Sequence, residues 1–410
     1  MAQHFDILIT NAQLRDHPPG DLVNIGVKDG KIAAIEGGLQ GEAETIIDAG
    51  GNLTTESFVN THLHLDKVYT LQRMDELAMQ DYHGGGMGKA MNAIELASRV
   101  KQEYDESWII ENVRKALWLA AKNGNTHIRA FADIDSKAKL IGVKALLKAR
   151  EEFKGIVDVQ VVAFPQDGVV REPGTADLVR EAMNLGADVV GGIPWIEFTD
   201  ADAQRHVDEM FEIAKEFDKP VSMLVDDAGD AGLRTLEMMA VRTIKQGWQG
   251  RALAHHARAM SQYAKPYLQK LIALLKQAKM YVVTDPHTGP LHARVKEMLE
   301  EGAYICLGQD DISDAYYPFG QNNMLEVAFL ASHLLWMTTR QEMDVLYEMV
   351  TTRAAEAIGL KDLGLREGNP AHLVVLDQRD VLEALRFHRP PVRVISHGKV
   401  VFPPNNAHSQ

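Results

Sequence analysis

The sequence predicts an α/β chain, a (β/α)8 barrel of the TIM type joined to a small β domain made from both ends. Three observations lead there. In the middle of the chain, eight apolar segments each lead into an amphipathic helical stretch. Runs that are apolar on both faces and alternate with such helices mark a parallel sheet, and eight units close a barrel. The two ends have the texture of short strands and turns instead. The length, 410 residues, exceeds one small domain and suffices for a large core with a lesser one beside it.

Residues 1–56 contain "FDILITNAQL", "NIGVKDGKIAAIEG" and "ETIIDAGGNL", with Asp29-Gly30 and Gly37-Gly38 as turn formers. The first barrel strand starts at Phe58. Six further units follow in order: "NTHIRAFADI" before the helix "KAKLIGVKALLKAREEF", "VDVQVVAFP" before "GTADLVREAMNLG", "ADVVGGIPW" before "DAQRHVDEMFEIAKEF", "KPVSMLVDD" before "GLRTLEMMAVRTIKQG", "RALAHHARA" before "AKPYLQKLIALLKQA", and "MYVVTDPH" before "ARVKEMLEEG". "AYICLGQDD" before "NNMLEVAFLASHLLWM" completes the set. Residues 360–410 return to strands, "AHLVVLD" and "VRVISHGKVVF", with a hairpin turn at His397-Gly398. Chain ends often lie together, so 1–56 and 360–410 are expected to share one small domain around a barrel spanning 57–359. Trp195, Phe198 and "AFLASHLLWM" read as core, with a subunit interface as the alternative.

Composition narrows the function. The net charge is −14, which disfavours nucleic acid and anionic membrane surfaces as partners. The single cysteine, Cys306, excludes an internal disulfide and fits a reducing compartment. The N-terminus lacks the pattern of a signal peptide, and no apolar run is long enough to span a bilayer. A cytoplasmic protein is expected.

The chemistry begins in "FVNTHLHLDK". Residues i and i+2 of a strand share a face, so His62 and His64 aim together near the C-terminal end of the first barrel strand, where barrel enzymes carry their sites. Two imidazoles there suit a divalent metal; the plainer alternative is a pair of core histidines bonded to backbone. Asp310, in "LGQDDISD", ends the eighth strand, next to the first in a closed barrel. It offers a ligand and a proton acceptor, though a helix cap or acidic loop would also explain some of Asp310, Asp311 and Asp314. In "LAHHARAM", adjacent residues face opposite sides, so at most one of His255 and His256 is expected in the site. Gln166, in "FPQDG", can donate to and accept from a polar heterocycle, or simply serve a turn.

These segments, with "ADVVGGIPWIEFTDADA" and "LGQDDISDAYYPFGQNNMLEVAFL", make the chain resemble the cytosine deaminase-like members of the amidohydrolase superfamily, N-isopropylammelide isopropylamidohydrolase among them. The resemblance implies a (β/α)8 barrel with a β-sandwich built from both termini, one divalent metal ion (Zn, Fe or Mn), and an oligomer. It implies that His62, His64 and Asp310 hold the metal, that Asp310 also shuttles a proton, and that His256 polarises the attacking water. Gln166, Asp311 and Tyr316 match substrate-binding positions. The chain also departs from the family. The fifth strand, "VSMLVDDAGD", has Leu224 where a histidine ligand is expected and Asp227 where a glutamate acid is expected. Phe131 and Gln309 stand where relatives carry histidine.

The expected function is therefore metal-dependent hydrolysis or deamination at a C–N bond of a small N-heterocycle that is cytosine-, aminopyrimidine- or triazine-like. Catalysis is assigned to Asp310, His256 and Asp227, with Asp226, Asp227 or His256 as possible helpers at the metal. The alternative is a metal-poor or metal-free barrel that binds a heterocycle without hydrolysing it.

Overall fold

The structure is a computed structural model that describes residues 4–73 and 99–404; the outermost residues of both end segments lie outside these. β1 (His4–Gln13), β2 (Leu22–Lys28), β3 (Lys31–Glu36) and β4 (Glu42–Asp48) form one sheet in the order β3-β2-β1-β4. The Asp29-Gly30 turn joins β2 to β3, as the dipeptide predicts. β5 (Thr54–Glu56) then leaves this sheet and leads into the barrel.

The barrel strands are β6 (Phe58–Leu63), β7 (Asn125–Asp133), β8 (Asp158–Phe164), β9 (Val189–Gly192), β10 (Val221–Val225), β11 (Ala252–His256), β12 (Tyr281–Thr284) and β13 (Ile305–Leu307). They lie side by side in chain order and pair in parallel. The ring closes just beyond β6 and β13. His64 N–H donates to the Asp310 carbonyl, and Asp310 N–H donates to the His62 carbonyl, both at 2.9 Å. The helices between strands follow from their patterning. In Glu106–Lys122, Asp105 caps the first turn, and Ile109, Ile110, Val113, Ala116, Leu117, Ala120 and Ala121 form the buried stripe. Two helices are shorter than their apolar patterns: Val295–Glu300, and Met324–Leu334, which starts at its Asn323 cap.

β14 (Leu373–Val375), β15 (Arg393–Ser396) and β16 (Lys399–Phe402) join β5 in a second four-stranded sheet, order β16-β15-β14-β5. Ile7, Ile9, Ile25 and Val27 of the first sheet share an apolar core with Leu373, Val375 and Ile395 of the second, which makes the β-sandwich of both termini. Two expectations of burial fail. Phe198 is 71% exposed and Trp336 is 75% exposed, because each follows the end of its element and turns outward. Trp195 is half-buried against the barrel interior.

The hairpin turns of the two termini meet. Gly30 and Gly398 both have left-handed φ, +76° and +72°, and a Cβ on Gly398 would stand 2.5 Å from the Gly30 Cα. Gly398→Ala should lower stability by at least about 1 kcal/mol, because it adds strain and a backbone clash. Urea denaturation monitored by circular dichroism measures this.

Candidate functional site

His62 and His64 lie at the end of β6, buried, with ring centroids 5.1 Å apart. As the i, i+2 spacing predicts, both aim at Asp310: His62 Nε2 is 2.9 Å and His64 Nε2 3.8 Å from Asp310 Oδ1. Gly308 permits the approach of the last strand, since a Cβ there would lie 2.7 Å from the His62 Cβ. Of His255 and His256, His256 stands in the group of candidate metal donors with His62 and Asp310, and His255 does not. Both rings rest on His62, with centroids at 4.5 and 4.9 Å. His256 has φ +68° and Ala257 φ +50°, so strand alternation fails at this point. His255 lies deeper, its Nε2 3.1 Å from Ser222 Oγ.

Charge is balanced around His256. Its Nδ1 is 2.9 Å from Asp285 Oδ1, and its Nε2 is 3.9 Å from both Asp310 Oδ1 and Asp227 Oδ2. Burial alone would lower its pKa, but Asp227, Asp285 and Asp310 outweigh it and lift the imidazole to about 9. Burial holds His62 and His64 below the ordinary histidine value, which favours the neutral form that binds metals. Arg258 donates from Nε to Asp227 Oδ1 at 2.7 Å and from Nη2 to Asp285 Oδ2 at 2.6 Å. Burial raises the Asp227 pKa against the opposing charges of His256 and Arg258. Asp311 is also raised, well above the carboxylate range, by burial and then by Asp310 and Asp314.

Gln166 and Tyr316 form the opposite side. Lys67 Nζ donates to Gln166 Oε1 at 3.1 Å and to Asp133 Oδ1 at 3.0 Å, and it lies 5.0 Å from the Tyr316 ring centroid. Tyr316 stacks towards His64 at 6.3 Å. Leu224 lies in a buried apolar cluster with Phe131, Val162, Phe164 and Ile193, against which Tyr316 packs. Asp226 is withdrawn from any metal role. Its Oδ1 accepts from Thr235 N–H and Oγ1, its Oδ2 accepts from the Tyr263 hydroxyl, and the backbone turns left-handed there.

Asp285, Arg258, Lys67 and Lys101 escaped the sequence reading. Asp285 had a signal, since "MYVVTDPH" ends its strand in a carboxylate just as "LGQDD" does. Lys67 stands in the same stretch as the two histidines. The pairing of Lys101 with Asp135 and Asp167, both at 2.7 Å, had no local signal.

The amidohydrolase family model matches residues 45–402. The chain belongs to the amidohydrolase family. This amidohydrolase is 29% identical to the N-isopropylammelide isopropyl amidohydrolase of Pseudomonas sp. (strain ADP) over 404 residues, 98% of each chain. Its fold matches the crystal structure of 5-methylcytosine deaminase from Klebsiella pneumoniae liganded with 5-fluorocytosine, with TM-score 0.88, 28% identity, and 98% and 99% of the two chains covered. It also matches N-isopropylammelide isopropylaminohydrolase from Burkholderia multivorans, with TM-score 0.81, 26% identity, and 96% and 97% covered.

The donor set of this amidohydrolase fits a divalent metal. Asp310 belongs to two buried groups, one with His62 and His256 and one with His64 and Asp311, and within each group the ligand atoms lie within 4.8 Å of one another. Buried nitrogen and carboxylate donors of this kind suit a divalent metal.

The cation beside Gln166 is open to a direct test. Lys67→Met leaves Asp133 and Asp66 with less compensation in a buried setting. The expected loss of stability is about 3–5 kcal/mol, read from urea unfolding.

Proposed function

We propose that this amidohydrolase is a metal-dependent hydrolase that cleaves a C–N bond of a small N-heterocycle of the cytosine, aminopyrimidine or triazine kind. One observation carries the reading: His62, His64 and His256 converge on the Asp310 carboxylate at the C-terminal mouth of the barrel. The similarity to proteins named for action on N-isopropylammelide and 5-methylcytosine supports the substrate class.

In this reading His62, His64 and Asp310 hold the ion. An ion held there would bring the pKa of a neighbouring water toward neutrality. Asp310 is placed to take that water's proton. His256, anchored through Nδ1 to Asp285, stabilises the charge that develops on the attacked ring. Asp227 retains a proton more readily than an exposed carboxylate does, which suits it to protonate the departing amine. Because Lys67 engages the Gln166 carbonyl oxygen, the amide N–H2 of Gln166 is left for an acceptor on the ring. Asp311, whose carboxyl is pushed upward by burial and by Asp310, can hydrogen-bond the ring, and Tyr316 supplies a face for stacking.

The reading is tested by ammonia or amine release from a panel of aminopyrimidines, triazines and cyclic amides. Chelator treatment should abolish turnover and added zinc, iron or manganese should restore it. Asp310→Asn should fold and melt as the parent does yet lose turnover by at least about 10³-fold; full activity in that variant refutes the assignment. Failure of metal-replete protein to hold any ion points instead to a barrel that binds heterocycles without hydrolysis.

A further inference from the structure

Position 224 is the chain's main departure from the ligand pattern its resemblance implies. Leucine there offers no donor, and its side chain is absorbed into the apolar cluster of Phe131, Phe164 and Ile193. β10 and β11 pair with Leu224 opposite His255, so His256 is the next residue along the neighbouring strand. Its left-handed backbone carries the ring inward, on the side where leucine leaves the donor set short.

We propose that His256 is the third imidazole ligand of the metal, replacing the donor absent at Leu224; this rests on the metal-hydrolase reading above. Asp310 Oδ1 lies 2.9, 3.8 and 3.9 Å from the Nε2 atoms of His62, His64 and His256. Donors about 2 Å from one ion stand roughly 3–4 Å from each other. The tautomer agrees. A carboxylate can only accept, so His256 Nδ1–H donates to Asp285 Oδ1 at 2.9 Å, and Nε2, turned toward Asp310, is the nitrogen that would exchange its proton for the ion. An outer carboxylate on the far nitrogen is the usual support of a metal-bound imidazole. Neither His62 Nδ1 nor His64 Nδ1 has a hydrogen-bond partner among the described residues, so His256 is the most firmly oriented of the three. The two Asp310 oxygens are also divided in use. Arg258 Nη2 stands 3.8 Å from Oδ2, leaving Oδ1 to the imidazoles. The arrangement gives a donor set of three nitrogens and one oxygen, with Asp227 beside it to face the substrate.

The test uses zinc and the full chain. X-ray absorption at the zinc edge should count three imidazoles in the parent and two in His256→Gln, and competition against a chelating dye should show zinc held at least tenfold more weakly by the variant. Asp285→Ala keeps the ring but removes its support, and should weaken zinc 10–100-fold; it carries the test if His256→Gln does not fold. Unchanged zinc affinity and an unchanged imidazole count in His256→Gln overturn the inference while the hydrolase reading stands. A parent protein that takes up no zinc, iron or manganese overturns both.

Discussion

The seam between the first and last barrel strands holds the rest together. β6 and β13 are too short to meet over their full length. The closing hydrogen bonds are made by His62, His64 and Asp310, residues just at or beyond the strand ends. The backbone groups that complete the ring therefore belong to the residues whose side chains build the site. Their mutual positions are set by sheet register rather than by loop conformation, which keeps such a constellation within the tolerance that chemistry needs. Gly308 and the Thr61 hydroxyl on the Leu307 carbonyl draw the same seam tight from below.

Around that seam the barrel mouth carries far more charge than a protein interior normally admits. Buried cations there are met by carboxylates. Lys101 engages Asp135 and Asp167, Lys67 engages Asp133, and Arg258 bridges Asp227 and Asp285. Such networks contribute little net stability after desolvation, so their value lies in holding polar groups in one arrangement. Asp285 shows this most clearly. Burial would raise its pKa, yet Arg258 and His256 keep it well below the ordinary range, and it remains an acceptor for the imidazole it orients.

Much of this was legible in the sequence because it depends on short-range periodicity. The two-residue spacing placed His62 and His64 on one face, and the alternation of apolar runs with amphipathic helices set the strand order that brings Asp310 beside them. Turn dipeptides at Asp29-Gly30 and His397-Gly398 marked both hairpins correctly. What the sequence hid depends on contacts between distant segments or on backbone departures from the period. Lys67 finds Asp133, and Arg258 finds Asp285, only through barrel register. His256 breaks the alternation rule with a positive φ that no local residue pattern announces. Phe198 and Trp336 show the opposite error, where hydrophobicity alone forecast burial for side chains that element ends turn into solvent.

β5 bonds to β14, and the His62–His64 arm bonds to Asp310, across nearly the whole length of the barrel sequence. During synthesis, the amino-terminal sheet and the first strands emerge long before either partner exists. A ribosome must finish the eighth strand before the mouth can close, and must release β14 before β5 finds its partner. Nascent chains of this protein thus pass through an extended interval with an unpaired strand, the state in which chaperones are most needed and premature termination is least tolerated.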